Sequence, residues 1–176
     1  GGFDALWISS ADTALCLGGT ASLSAQGSGG NGTYNYAWQP GAFSGSPISV
    51  TPSTTTTYTV TVSDNCGTPP ATDKVTVTVY PLPVLNFSAD STNGCSPLCV
   101  TFSNESSPAS ATASWEFGDG NTSTTVSTAS HCYENAGMSR VPLPVRDNLG
   151  CSNTKMVNDM ITVYPHPTAN FSMSPV

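Results

Sequence analysis

The stretch "WEFGDGNTST", Trp115 to Thr124, sets Glu116 and Asp119 beside two glycines in a chain with few charges. Two carboxylates this close could serve as an acid/base pair, as glycosidases use across a sugar. A carboxylate among loop oxygens could also hold calcium, which takes six to eight oxygen ligands. The local pattern favours neither. Trp115 and Phe117 alternate toward one face, which turns Glu116 outward. Gly118-Asp119-Gly120 then reads as a turn, in which glycine supplies positive φ and aspartate caps its own backbone. A weak calcium site at Asp119 remains as an expectation of second rank, and no other cofactor is expected. The glycines do not cradle phosphate, because the loop has no lysine and no helix follows it. His131, in "SHCY", reads as a partly buried histidine bonded to backbone at a strand end. His166 lies between two prolines and is expected in solvent. No serine sits in a G-x-S-x-G elbow. No catalytic residue is therefore assigned, and the chain is not expected to be an enzyme.

Composition narrows the partners. Only 9% of the 176 residues are charged, against about 25% in an average soluble domain. The net charge is -7, and four Lys and Arg residues cannot form the basic surface that phosphate backbones require. No apolar run reaches the ~18 residues of a membrane span. The first ten residues, "GGFDALWISS", lack the form of a signal peptide, and the chain reads as a window cut from a longer one. The six cysteines, Cys16, Cys66, Cys95, Cys99, Cys132 and Cys151, show no CxxC spacing. With only two histidines, they point to disulfides in an oxidising compartment rather than to zinc.

A repeat organises the chain. "VYPLPVLNFS" (Val79 to Ser88) returns as "VYPHPTANFS" (Val163 to Ser172), 84 residues later and identical at seven of ten positions. "SADTALC" (Ser10 to Cys16) likewise echoes "SADSTNGC" (Ser88 to Cys95). Each Pro-x-Pro is a stiff, extended joint that cannot continue a ladder. The boundaries that follow are a first unit over 1–80, a second over 82–164, and over 165–176 a linker with the first strand of a truncated third. Inside the units the pattern is strand throughout. "TYTVTVSD" sends Tyr58, Val60 and Val62 one way and threonines the other, and "KVTVTVY" repeats this with Val75, Val77 and Val79. About 80 residues of short strands and Gly/Pro/Asn turns per unit predict tandem all-β, immunoglobulin-like sandwiches. Units this small gain from a disulfide staple.

"WEFGDG", with "GCSPLCVTF" before it and "SHCYENAG" and "VPLPVRDNLGC" after it, resembles the polycystic-kidney-disease (PKD) domain, an immunoglobulin-like family. The signature positions are Trp115, Phe117, Gly118, Asp119 and Gly120, and the resemblance spans nearly all of 82–164. It departs at Ser139, where the family usually has tyrosine, and at Cys99 and Cys132, which look like an added pair. The first unit is similar to immunoglobulin-like and PKD-like repeats of large Bacteroidota surface proteins, including gliding adhesins exported by the type IX system. In a sandwich of this type the strands of Cys99 and Cys132 are neighbours, so those two are expected to bridge. Each unit also has one early cysteine (Cys16, Cys95) and one late (Cys66, Cys151). The simple pairing is one staple per unit, Cys16–Cys66 and Cys95–Cys151. The competing pairing is Cys16–Cys151 across the junction, with Cys66 and Cys95 reaching units outside the window, because early and late positions tend to lie at opposite ends.

Pro142 and Pro144 in "VPLPV" remove two N–H groups from one side of a strand, which implies an edge or local break there, or a covering segment from elsewhere. Asn31, Asn86, Asn104, Asn121 and Asn170 begin N-x-S/T sequons, as chance allows in so Ser- and Thr-rich a chain. "DTA" (Asp12 to Ala14) resembles the short Bacteroidota O-glycosylation signal, which would modify Thr13. The resemblance implies a non-catalytic structural and adhesive module of a long extracellular, cell-surface fibre, stalk or filament. Its partners would be neighbouring repeats, other copies, or surface glycans and proteins. The alternative is an accessory substrate- or glycan-binding module of a secreted hydrolase, with Trp7 the one tryptophan left for a sugar.

Overall fold

Period-two alternation of β-branched residues dictates the architecture. Tyr58, Val60 and Val62 are buried, while the threonines between them are only partly so. The structure, a computed structural model, describes residues 5–107 and 112–173, and for 7–9 the backbone alone. All regular structure among the described residues is strand. The chain divides into two units, Gly1–Pro81 and Leu82–Val176, each with its own core.

The first unit runs β1 (Trp7–Ser9), β2 (Thr13–Cys16), β3 (Ala21–Leu23), β4 (Gln26–Ser28), β5 (Asn35–Gln39), β6 (Phe43–Ser44), β7 (Ile48–Val50), β8 (Thr56–Ser63) and β9 (Ala71–Tyr80). One layer has the order β2-β9-β8-β5-β6, and the other is made of the pairs β1-β4 and β3-β7. The chain enters in the smaller layer as β1 and crosses to the larger as β2, which lies parallel to β9. Leu23, Ile48 and Val50 from one layer meet Trp38, Val60 and Val77 from the other.

The second unit repeats the plan with β10 (Phe87–Ala89), β11 (Asn93–Cys95), β12 (Leu98–Asn104), β13 (Thr112–Ala113), β14 (Trp115–Glu116), β15 (Thr122–Ser123), β16 (Thr128–Tyr133), β17 (Gly137–Arg146) and β18 (Ser152–Tyr164). Its layers are β10-β12-β16 and β11-β18-β17-β13, and β14 pairs with β15 as a hairpin. Phe87, Val100 and Phe102 face Trp115, Leu143, Val145 and Ile161 across the core. Phe102 and Phe87 both pack on the Trp115 ring, at 5.7 and 5.6 Å between centroids.

The prolines of "VPLPV" break one ladder locally without making β17 an edge. β17 pairs along its length with β18 and at Val145 and Arg146 with β13. The Ser114 N–H still donates to the Pro144 carbonyl (3.1 Å), so the polar groups of Pro144 face β13. Pro142 and Pro144 have no N–H to return, and pairing on that side stops before β14. The first unit has no such prolines, and its matching strands β5 and β8 pair from Asn35↔Ser63 to Gln39↔Thr59.

Cys99 and Cys132 lie directly opposite in the β12–β16 register and form a disulfide. It closes a loop with a sequence separation of 33. Restricting the unfolded chain by a loop of that length contributes roughly 3–4 kcal/mol in the chain-entropy account. The double substitution Cys99→Ser with Cys132→Ser is expected to lower the second unit's unfolding free energy by about 2–4 kcal/mol in urea. A midpoint unchanged from the parent protein would show that the bridge does not stabilise the fold.

Candidate functional site

The hairpin β14–β15 and strand β16 assemble the polar cluster that the sequence singled out. Trp115 anchors the hairpin: its ring is fully buried and its indole N–H donates to the Thr125 carbonyl (2.9 Å). Phe117 is buried beside it and Glu116 is exposed, as alternation requires. The chain then reverses. Gly118 has φ +84, and a Cβ there would meet the Arg140 carbonyl oxygen at 2.3 Å. Only glycine fits both the conformation and the approach.

Asp119 follows and closes the turn. Its Oδ1 accepts the Asn121 backbone N–H (3.1 Å) and its Oδ2 the Asn121 side-chain amide (3.1 Å). His131 Nε2 lies 2.6 Å from Oδ2. From the sequence His131 is expected to be partly buried, as it is, but bonded to backbone at a strand end. It stands within β16 instead, and its partner is the turn carboxylate. Twelve residues separate the two side chains, and only the docking of the hairpin on β16 brings them together. The imidazole stacks on Phe117 (4.3 Å, 8°) and meets Tyr133 edge-on (4.7 Å, 81°). The buried Tyr133 hydroxyl donates to the Phe117 carbonyl (3.0 Å). The H-x-Y pair thus locks the turn from two sides.

The electrostatics follow from these contacts. Desolvation, the largest influence on Asp119, raises its carboxyl pKa. The bonds from His131 and Asn121, with the charge of His131, outweigh it and leave the pKa below its ordinary 3.8. Burial first, and the Asp119 charge second, push the Tyr133 phenol well above its ordinary 10.0, so it stays a neutral donor. A cavity of about 320 Å³ adjoins the turn, lined by Asp119, Asn121, Tyr133 and Glu134 among others. Among the described residues no hydroxyl or thiol hydrogen-bonds the imidazole, and no group of three His, Cys, Asp or Glu side chains is placed to hold a metal. The arrangement is chemically a turn lock.

The remaining sequence-singled residues scatter. His166 is exposed in the linker after β18. Thr13 is half-buried at the start of β2, and the preceding Asp12 accepts the Thr76 N–H (2.7 Å). Asn31, Asn86, Asn104 and Asn121 all use their amide nitrogens as side-chain donors, to Cys66, Glu105, Val126 and Asp119. The Trp7 side chain lies outside the described residues. Cys66 and Cys95 are exposed free thiols, whereas Cys16 and Cys151 are each disulfide-bonded. One staple per unit, Cys16–Cys66 and Cys95–Cys151, is therefore not what forms. The register explains why. Cys16 is level with Tyr80, the last residue of β9, while Cys66 lies in the turn before Ala71, the first. A ten-residue strand separates its ends by about 30 Å. Cys95 is level with Tyr164 at the end of β18, and Cys151 precedes its first residue, Ser152.

Two layers, an early strand that changes sheet, and a buried tryptophan at the hairpin define an immunoglobulin-like β-sandwich in each unit. Residues 80–163 match the family model described as the PKD domain, and the second unit is a PKD domain. Among solved structures, the PKD1 domain of Vibrio anguillarum Epp is 29% identical, covers 47% of this chain and 96% of its own, and aligns with a TM-score of 0.40. Titin immunoglobulin domains are 12% identical over 91% of this chain and 66% of theirs, with a TM-score of 0.47. The fibronectin(III)-like modules of Clostridium thermocellum CbhA are 12% identical over 94% of this chain and all (100%) of theirs, with a TM-score of 0.42. No curated protein matches the chain.

Two measurements probe the turn. A folded-state pKa depressed below 3.8 makes Asp119 stabilising above that pH, and the contribution fades as pH falls through the lower, folded value. Asp119→Asn is expected to cost roughly 1 kcal/mol at pH 7, a charged hydrogen bond discounted for partial exposure. Urea titrations should show the gap closing below about pH 3.8; a gap that stays constant in acid would assign it to packing alone. Both Asp119 oxygens already accept N–H donors, so calcium added to the metal-free protein should leave the melting temperature unchanged. A rise that Asp119→Asn abolishes would instead put the ion at this turn.

Proposed function

We propose that this chain is a run of non-catalytic structural and adhesive repeats from a long extracellular protein, a fibre, stalk or filament at a cell surface. One contrast carries the reading. In "VYPLPVLNFS" Phe87 is 7% exposed and opens the core of the second unit as part of β10. In "VYPHPTANFS" the matching Phe171 is 85% exposed. An aromatic that is core in one copy and bare in the next is supported best as the first core residue of a third unit. The array reading follows from that, and array architecture serves length and spacing rather than chemistry.

Other features support it. Disulfides persist in oxidising, extracellular settings. No helix of the described residues is long and apolar enough to cross a membrane. The first unit's resemblance to repeats of Bacteroidota gliding adhesins makes export by the type IX route and adhesion the specific form of this proposal. Its partners would be neighbouring repeats, other copies, and surface glycans or proteins, with no cofactor.

Protease shaving of intact source cells, followed by peptide mapping, tests the placement. Peptides of this chain should be released while cells remain whole, and deleting the repeats should abolish surface attachment. Retained attachment together with a lost secreted polysaccharide hydrolysis would replace this reading with that of an enzyme accessory module.

A further inference from the structure

We propose that Cys66 and Cys95 are the open halves of disulfides to adjoining repeats, so that each unit of the array is covalently linked to the units on both sides. The inference rests on the array reading above.

The two units place their cysteines in matching sites. Cys16 ends β2 level with Tyr80, and the next N–H, of Leu17, donates to the Tyr80 carbonyl (2.8 Å). Cys95 ends β11 level with Tyr164, and the next N–H, of Ser96, donates to the Tyr164 carbonyl (3.0 Å). These are one site, seen twice. The late cysteines match equally well. Cys66 follows β8 in a turn where its N–H donates to Asp64 Oδ1 (3.1 Å). Cys151 follows β17 in a turn where its N–H donates to Asp147 Oδ1 (2.8 Å).

The two sites differ in oxidation state between units. The early site is disulfide-bonded as Cys16 and free as Cys95; the late site is disulfide-bonded as Cys151 and free as Cys66. Neither bonded cysteine uses its own unit's mate, because β9 and β18 hold early and late sites at opposite ends, far beyond the ~7 Å that a disulfide tolerates between Cα atoms. So the early and late sites of one unit do not bond each other, and both free thiols are exposed to receive a partner. By the same equivalence Cys95 takes a late-site cysteine of a following unit and Cys66 an early-site cysteine of a preceding one.

The chemistry needs a disulfide donor as oxidant, here a glutathione-type disulfide. The thiolate of one cysteine attacks the donor and releases one reduced thiol. The second thiolate then attacks the mixed disulfide and releases the other. Two protein S–H bonds are lost, one S–S bond forms, and the donor takes up two electrons and two protons.

A second copy of the full chain offers the missing partners, since its Cys66 is a late site and its Cys95 an early one. The full chain, with its existing disulfides left intact and concentrated with glutathione disulfide, should give a non-reducing ladder of oligomers whose linking peptides are Cys66–Cys95. Cys66→Ser and Cys95→Ser, both at exposed positions, should each stay monomeric. Monomers capped by glutathione, or links that are mainly Cys66–Cys66 or Cys95–Cys95, would overturn the proposal. The array reading fails separately, if sequence flanking this chain in its source contains no further copy of the unit.

Discussion

Each unit closes around a tryptophan whose large ring is wholly out of water and whose single polar atom must still find an acceptor. Trp115 meets this with the Thr125 carbonyl and Trp38 with the Gly45 carbonyl (2.8 Å). In both cases the acceptor lies on the return path of the hairpin that begins at the tryptophan. An unmet indole N–H in a core would cost on the order of 1–3 kcal/mol. The chain must therefore double back within about ten residues, and the rest of the hairpin follows from that constraint. The first unit makes its hairpin with Gln39, Pro40 and Gly41 where the second has Glu116, Phe117 and Gly118. The carboxylates are thus not needed to build the hairpin, and in the second unit Asp119 is taken up by Asn121 and His131 instead.

What the second unit adds is a lock. Its hairpin cannot be zipped onto β17, because Pro142 and Pro144 leave no N–H to pair with β14. Other contacts take over. Gly118 lies against the Arg140 backbone, Asp119 reaches His131, and Tyr133 holds the Phe117 carbonyl. The first unit, whose β5 and β8 are fully paired, has no such set at its hairpin. Broken ladder and side-chain lock are two sides of one local solution, and the Cys99–Cys132 bridge sits on β16 next to His131.

Most of this was legible in the sequence wherever the cause is local. Alternation in "TYTVTVSD" and "ASWEF" gave the buried faces, because a strand's side-chain period is two whatever its neighbours. The Gly-Asp-Gly turn was legible because positive φ and self-capping are properties of a few adjacent residues. Contacts fixed by register were not. His131 finding Asp119 depends on how the hairpin lies over β16. The opposite-end placement of early and late cysteines was guessable from topology, but only the registers β2–β9 and β11–β18 turn it into distances. The prolines announced a missing ladder without saying on which side of β17 it lay.

The scarcity of charge shapes what kind of surface results. Where an ordinary domain would show Lys and Glu, this one shows Ser, Thr and Asn, and its few carboxylates and amides gather backbone N–H groups. Asp64 gathers N–H groups from Asn31, Cys66 and Thr68, Asp147 those of Leu149 and Cys151, and Asn104 that of Ser106. Among the described residues the single ion pair is the Asp119–His131 contact. Exposed long-range charge is what salt screens and what gives surface pairs their small energies. A sandwich held instead by core packing, turn capping and disulfides keeps its fold largely independent of ionic strength.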